Sequence, residues 1–485
     1  MVTPAQTITI RDPGLGLVEP AANAVLLLGV CSASRQNEFA AVNSIADLAS
    51  GWGDGPLVQD GARILSEPGR PQLYVCQVTG GVVGTNSAVT QTGGGPVVTL
   101  TGAPNDTYDG RVEVMAGGAL GVGKFRYTLD RQTLTTGPDA PTPTWSPTIT
   151  IPSGGTYLIP NTGVTLNFAS GTYVLATTYD FTCTEPYYNG TNLSDAFTSV
   201  FLQKQRRWRL AHLAGNAGTA SAAATIASAF GTHMATAQTN FRYVRGFLDT
   251  GSKDTTSNLA TSFGSFVDPR VGPYYGQIVR SSLKPFVGFS TPRRSGLAEL
   301  TARAASQMIS TNLLRVASGA LTGVKYIAQD EYANPVVDDL RITSLRTWPG
   351  RPGFYINQAR LASQIGSDFA YTHNGFIMDV ACATVVNAQQ SWAGKSFRLT
   401  SAGTLDPLDA EDLRQDVLKQ LRAQLTEPLN AEGKRGHVSA INYRVDLTNN
   451  VLVTSQILTE VSMRPLGYAR DFVTQLGFAV DVGVV

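Results

Sequence analysis

Charge is scarce in this sequence. Aspartate, glutamate, lysine and arginine make up 15% of its 485 residues, against about 25% in ordinary soluble domains. Thirty-seven basic residues offset thirty-six acidic ones and leave a formal net charge of +1. No chain-wide field recruits nucleic acid or an anionic membrane, so the expected partner is protein. Cysteine is rare as well. Cys31, Cys76, Cys183 and Cys382 lie far apart, which excludes a disulfide scaffold and a paired-thiolate metal site and predicts reduced thiols. The four histidines, His212, His233, His373 and His437, are isolated, and neither His-Glu-x-x-His nor Cys-x-x-Cys occurs; no zinc site is expected. Long apolar runs are missing too. The longest, residues 24–30 with one glycine, is far short of the ~20 residues that span a bilayer, so no stable membrane insertion is expected. The N-terminus has no basic segment followed by an apolar run, which points to a product that is cytosolic when made. Sequons at Asn105, Asn189 and Asn192 carry little weight without a secretion route.

What is present is length, glycine and alternation. At 485 residues the chain exceeds the roughly 250 to 300 at which one hydrophobic core stops growing, so several domains are expected. Thr7, Ile8, Thr9 and Ile10 alternate polar and apolar before Asp12, Pro13 and Gly14 break the pattern, which describes a short strand on a loose arm. Residues 24–30 and 72–78 read as buried strands, and Ser44 opens a short helix. Residues 80–188 change texture to threonine, glycine and proline with short alternating runs, the mark of a small all-β domain; residues 137–147, with four prolines, read as an exposed loop. From Ser194 helix and strand alternate, which argues for a mostly parallel sheet. A helix is expected over 296–317, supported by a Glu299/Arg303 pair four residues apart. Another is expected over 407–425, with Asp406 as N-cap, Pro407 in the first turn and Leu413, Val417, Leu421 and Leu425 on one face. Three strand-like runs follow, 441–446, 451–463 and 472–480. In the last, Phe472, Leu476, Phe478 and Val480 stand at even spacing.

Catalytic motifs fail on inspection. Gly118 to Lys124 has the spacing of a phosphate loop, but Phe125 stands where a magnesium-binding Ser or Thr belongs, and an alternating strand follows instead of a helix; a glycine-rich hairpin is the expectation. Gly14-Leu-Gly16 lacks the third glycine of a dinucleotide fingerprint. No Gly-x-Ser-x-Gly elbow occurs. The acidic pairs Asp338-Asp339 and Glu411-Asp412 sit where carboxylates are ordinary. The basic cluster from Lys204 to Arg209 closes a helix and reads as a solvated helix end. Lys419, Arg422, Lys434 and Arg435 are a better lead, read together as a positive patch for an acidic protein surface.

Several runs of residue types are shared with one known family: Gly102-Ala-Pro-Asn-Asp-Thr-Tyr-Asp109, Val112-Glu-Val-Met-Ala-Gly-Gly118, Phe125-Arg-Tyr-Thr-Leu-Asp130, Asn161-Thr-Gly-Val-Thr-Leu-Asn-Phe168, Gly353-Phe-Tyr-Ile-Asn-Gln-Ala-Arg360 and Met463-Arg-Pro-Leu-Gly-Tyr-Ala-Arg-Asp-Phe472. In these the chain resembles the contractile tail sheath proteins of long-tailed phages and phage-tail-like particles. The resemblance implies an α+β multidomain chain: an N-terminal arm (1–19), a discontinuous α/β core (20–85 and 341–467), an inserted all-β domain (86–188), an inserted α/β domain (189–340) and a C-terminal arm (468–485). It implies a structural subunit, not an enzyme, without a cofactor. That subunit polymerises helically with itself around a tail tube protein and meets baseplate and tail terminator proteins. Its place is the virion tail after assembly in the host cytoplasm. The arms Thr7, Ile8, Thr9, Ile10 and Phe472, Leu476, Phe478, Val480 are implied to cross to neighbouring subunits and complete their sheets. Lys419, Arg422, Lys434 and Arg435 are, by their charge, the candidates to face the tube. The alternative expectation is a baseplate or adhesin-type component that binds a receptor through the β domain.

Overall fold

The computed structural model describes residues 24–69, 71–131, 143–203, 206–251, 254–280 and 293–468. The expected strands at 7–10 and 472–480, and most of the expected loop at 137–147, lie outside the described residues. The chain divides into two compact units, Met1–Ser396 and Phe397–Val485.

The first unit begins with β1 (Val25–Gly29), whose five residues are all buried, as a strand covered on both faces requires. It is followed by β2 (Phe39–Val42), α1 (Ile45–Trp52), α2 (Pro56–Leu65) and β3 (Leu73–Gln77). Ser44 caps α1 as expected, its hydroxyl accepting from the Asp47 N–H at 3.0 Å. Helix α2 starts on Pro56, where a missing N–H is harmless.

The β-rich segment then supplies β4 (Thr90–Thr92), β5 (Val98–Thr101), β6 (Tyr108–Ala116), β7 (Lys124–Thr128), β8 (Ile149–Thr150), β9 (Thr156–Leu158), β10 (Thr165–Phe168) and β11 (Thr178–Cys183). They form two sheets, in the orders β4-β11-β6-β7-β8 and β5-β10-β9. Alternate residues such as Tyr108, Val112 and Val114 point into a core of their own, shared with Phe125, Leu166 and Tyr179. The phosphate-loop-like glycines lie in the turn that joins β6 to β7. The chain enters and leaves this segment side by side: Val82 and Tyr187 exchange N–H···O=C bonds of 2.8 and 2.9 Å, and the Thr184 N–H reaches Thr85 O at 2.9 Å. Gly84 fits there because a Cβ would fall 2.2 Å from Pro104 O and 2.7 Å from Thr184 O.

Helix and strand then alternate through α3 (Gly190–Leu202), β12 (Leu210–Leu213), α4 (Ala220–Thr239), β13 (Arg245–Asp249), α5 (Thr256–Phe263) and β14 (Val271–Tyr274). The main sheet runs β14-β13-β12-β1-β3-β2, parallel except for β2 at its edge. Segments 20–85 and 189–340, set apart in the sequence reading, therefore share one sheet through the β1–β12 pairing. The reason is burial: β1 and β12 are buried along their whole length, so their main-chain groups have to find partners on both edges. A second sheet, β16-β15-β17, combines β15 (Gln277–Arg280), β16 (Arg293–Ser295) and β17 (Val324–Ile327). Helix α6 (Leu297–Ser306) lies between β16 and β17 in sequence, followed after β17 by the β18 (Leu345–Trp348) and β19 (Arg351–Ile356) hairpin and α7 (Thr372–Gln390). Helix α6 ends eleven residues before its expected limit, since Gln307 is extended and the Ile309-Ser310-Thr311-Asn312 run is a poor helix former.

The second unit holds α8 (Pro407–Leu425), β20 (Val438–Val445), α9 (Val451–Thr454) and β21 (Thr459–Pro465). Helix α8 matches its expected span. The Asp406 carboxylate accepts from the Leu408 N–H at 2.9 Å, and Leu413, Val417, Leu421 and Leu425 are buried, each worth roughly 1.5–3 kcal/mol relative to exposure. The run expected as one strand over 451–463 is split. Asn450 caps a single helical turn through the Val453 N–H at 3.1 Å, and Ser455, at φ 54°, turns the chain into β21.

Candidate assembly site

In the second unit β20 and β21 form an antiparallel two-stranded sheet, from Val445↔Thr459 to Val438↔Pro465. One face of β20 is anchored, with Val438, Tyr443 and Val445 buried and the strand in contact with α8. None of the seven residues of β21 is buried. A lone hairpin is marginal in water and gains stability from a third strand. Among the described residues neither outer edge of this sheet has a strand partner.

The parity of β20 identifies which backbone groups lie on its outer edge. In an antiparallel ladder the N–H and C=O of one residue point to the same side, and successive residues alternate. The Asp446 N–H donates to Leu458 O at 2.9 Å, on the β21 side. Residues 445 and 443 therefore point away from β21, and the Tyr443 carbonyl does so, accepting from Arg414 Nε at 3.1 Å. Beyond that edge lies an open groove of about 320 Å³ lined by Pro407, Ala410, Glu411, Arg414, Tyr443, Val445 and Leu447, among others. Leu408, Leu452, Val453 and Leu458 stand exposed in the same unit.

All four cationic residues singled out in the sequence are exposed. Lys419 and Arg422 occupy the last two turns of α8. Lys434 and Arg435 occupy the following loop, which folds back so that the His437 N–H reaches Leu425 O at 2.6 Å. None of the four makes an ion pair with a described residue. The acids Asp406, Asp409, Glu411, Asp412 and Asp416 mark the N-terminal half of α8, so its charges follow the helix dipole. The arm residues lie outside the described residues.

The first unit contains a buried ionic network that the sequence reading missed. Glu299 and Arg303 do not pair with each other. Glu299 lies 3.3 Å from Arg63 Nε and 3.1 Å from Arg280 Nε, while Glu67 pairs with Arg63 at 2.7 Å and Arg303 at 3.5 Å. His212 bridges Asp60 at 3.0 Å and Thr301 at 2.7 Å. Burial pushes the Asp60 carboxyl up, but the bond from His212 and the charges of His212, Arg280 and Arg294 hold it below the ordinary range. Arg294 pairs in turn with Asp106 of the β-rich segment. Asp60 and Arg63 in α2 and Glu67 just beyond its end recur at helical spacing, the one signal that could have revealed the network.

This network leaves little room for chemistry. The cavity beside Asp60, Asn216 and Arg294 has about 20 Å³, space on the order of one water. Burial pushes Cys31 to about 11 and Cys76 and Cys183 to about 12, so none supplies a thiolate near neutral pH. Among the described residues no group of three or more His, Cys, Asp or Glu is arranged to hold a metal, and no helix is long and apolar enough to cross a membrane. The expected solvated helix end is corrected at Arg209, while Arg206 is exposed as expected. Arg209 is buried and donates to the carbonyls of Ala304 and Gln307 at the end of α6, with Phe376 stacked 4.7 Å away. Burial lowers its pKa to about 10.

Comparison with known proteins gives one family and a set of folds. The family described as DUF2586, N-terminal domain, matches residues 5–360. No curated protein matches the sequence. The contracted helical sheath of the anti-feeding prophage aligns with a TM-score of 0.50 and 12% identity over 99% of this chain and 100% of its own. The baseplate of the same particle, six-fold symmetrised, aligns with 0.50 and 11% over 99% and 100%. A sheath tail protein of Desulfitobacterium hafniense aligns with 0.45 and 10% over 96% and 100%. The two prophage alignments reveal a shared fold along nearly the whole chain.

Proposed function

The chain belongs to the DUF2586 family, and from that premise we propose that it is the structural subunit of a contractile, phage-tail-like sheath. The observation that carries the reading is the β20–β21 sheet, a two-stranded ribbon without a strand partner at either edge among the described residues. Strand addition to such an edge gains main-chain hydrogen bonds, and alternate side chains fix the register. The chain holds two alternating segments for the purpose, Thr7 to Ile10 and Phe472, Leu476, Phe478 and Val480. On this reading they reach neighbouring copies and complete their ribbons. A head-to-tail contact of this kind need not close and generates a helix. The helix sleeves a tube protein against Lys419, Arg422, Lys434 and Arg435, ends on baseplate and terminator proteins, and contracts by rigid-body reorientation of linked subunits to drive the tube through a host envelope. Neither catalysis nor a cofactor enters this scheme. Assembly takes place in the cytoplasm of the producing cell, and the product is the particle's tail.

Negative-stain microscopy of the overexpressed protein is the test. Full-length protein is expected as hollow tubes, and deletion of residues 1–19 or 468–485 as folded, non-polymerising chains. Monomeric full-length protein at high concentration, or truncated chains that still form tubes, would refute the reading. The equally scored baseplate alignment supports a second reading, a baseplate component, which the same micrographs separate: closed rings in place of open tubes.

A further inference from the structure

Arg414 covers one of the two edges of the β20–β21 sheet left free among the described residues. Its Nε donates to the Tyr443 carbonyl at 3.1 Å, on the edge of β20 that points away from β21, and its guanidinium is fixed from the other side by Glu411 at 2.7 Å. The side chain is half-buried, 32% exposed, and lines the groove beyond that edge. An acceptor needed by the next strand is thus occupied by the protein's own side chain. Natural sheets guard exposed edges with charged groups against unwanted pairing.

We propose that Arg414 is a removable cap on β20, which holds the edge closed in the free subunit and is displaced when a strand from a second copy docks. The inference rests on the strand-exchange reading above. The occupant is the C-terminal segment 472–480. Its nine residues match the eight of β20, and Phe472, Leu476, Phe478 and Val480 suit a groove wall that includes Ala410, Val445 and Leu447. The N-terminal segment offers only Ile8 and Ile10 over four residues. Docking exchanges the Arg414 Nε–H for a backbone N–H at the Tyr443 carbonyl, so the acceptor is satisfied before and after, the first bond breaks on the way, and the arginine moves into solvent. The cap therefore slows docking without weakening the docked state.

The experiment compares full-length wild type, Arg414→Met, which keeps the aliphatic stem, and Glu411→Gln, which loosens the guanidinium anchor, by light scattering at matched concentration. Arg414→Met is expected to assemble about fivefold faster, the factor set by one hydrogen bond that no longer has to break. Glu411→Gln should fall between it and wild type. In chains lacking 468–485 neither substitution should have any effect. If wild type polymerises and both variants match it, or are slower with unchanged circular dichroism, the cap is refuted while strand exchange stands. If wild type fails to polymerise, both fall. Acceleration that persists without 468–485 refutes the C-terminal segment as occupant.

Discussion

Replacing Glu299 by glutamine keeps the side-chain volume and one acceptor but removes the charge that Arg63 and Arg280 share. Glu299 is fully buried, and its oxygens lie 3.3 Å from Arg63 Nε and 3.1 and 3.2 Å from the Arg280 guanidinium. Breaking a buried pair by removing one partner costs about 3–5 kcal/mol because a charge stays behind in low dielectric. Arg63 retains Glu67 at 2.7 Å, whereas Arg280 is left with Asp60 at 3.9 Å. One guanidinium, not two, loses its compensation, so the lower figure, about 3 kcal/mol, applies. Urea unfolding followed by tryptophan fluorescence reads this directly, since Trp52 and Trp208 are buried in the same unit. The decisive control is Arg280→Met with Glu299→Leu. Removing both charges is expected to recover most of the loss, with a coupling energy of about 2 kcal/mol. A Glu299→Gln stability within about 0.5 kcal/mol of wild type, the range of an ordinary surface substitution, would refute the claim that this network holds α2, α6 and β15 together.

One further outcome follows from a single buried histidine and another from four exposed cations. Burial alone lowers His373 from 6.5 to about 4. The folded state thus holds it neutral, and its contribution is complete above about pH 6.5 and lost as pH falls through 4. By linkage His373→Phe should flatten about 3 kcal/mol of acid destabilisation over that window, and identical urea midpoints for both proteins at every pH would contradict it. Charge reversal of Lys419, Arg422, Lys434 and Arg435 to glutamate should leave the homopolymer intact, as none makes an ion pair with a described residue, yet abolish co-assembly with the tube protein. Unchanged co-sedimentation with the tube would remove the assignment.

Much of the architecture was legible because local signals agreed with burial. Ser44 and Asp406 cap the helices they were expected to cap, and the alternation from Ser194 became, as far as Tyr274, the parallel strands and helices of the main sheet. Where the sequence misled, a long-range contact overrode a local rule. Spacing of four suggested that Glu299 and Arg303 pair with each other, but α6 is buried on nearly all sides and its charges turn to Arg63, Arg280 and Glu67. Helix α2 itself escaped notice because Asp60, Arg63 and Glu67 look like surface residues until their partners His212, Glu299 and Arg303, far along the chain, are known. Arg209 looked like a helix end and instead completes the carbonyls of another helix. Arg414 lies unremarkably on the polar side of α8, and only the fold reveals the carbonyl it covers.

The paired entry and exit of the β-rich segment has a consequence for how such a chain can change over evolutionary time. Because Val82 and Tyr187 are bonded neighbours, everything between them is, to the main sheet, a loop of nearly zero span, and the segment keeps a separate hydrophobic core. Its size, outline and surface chemistry can drift without shifting β3 against α3, provided that Asp106, the partner of the buried Arg294, is kept. The neck is a socket in which one surface of the chain can be re-dressed while the main sheet stays under its own selection.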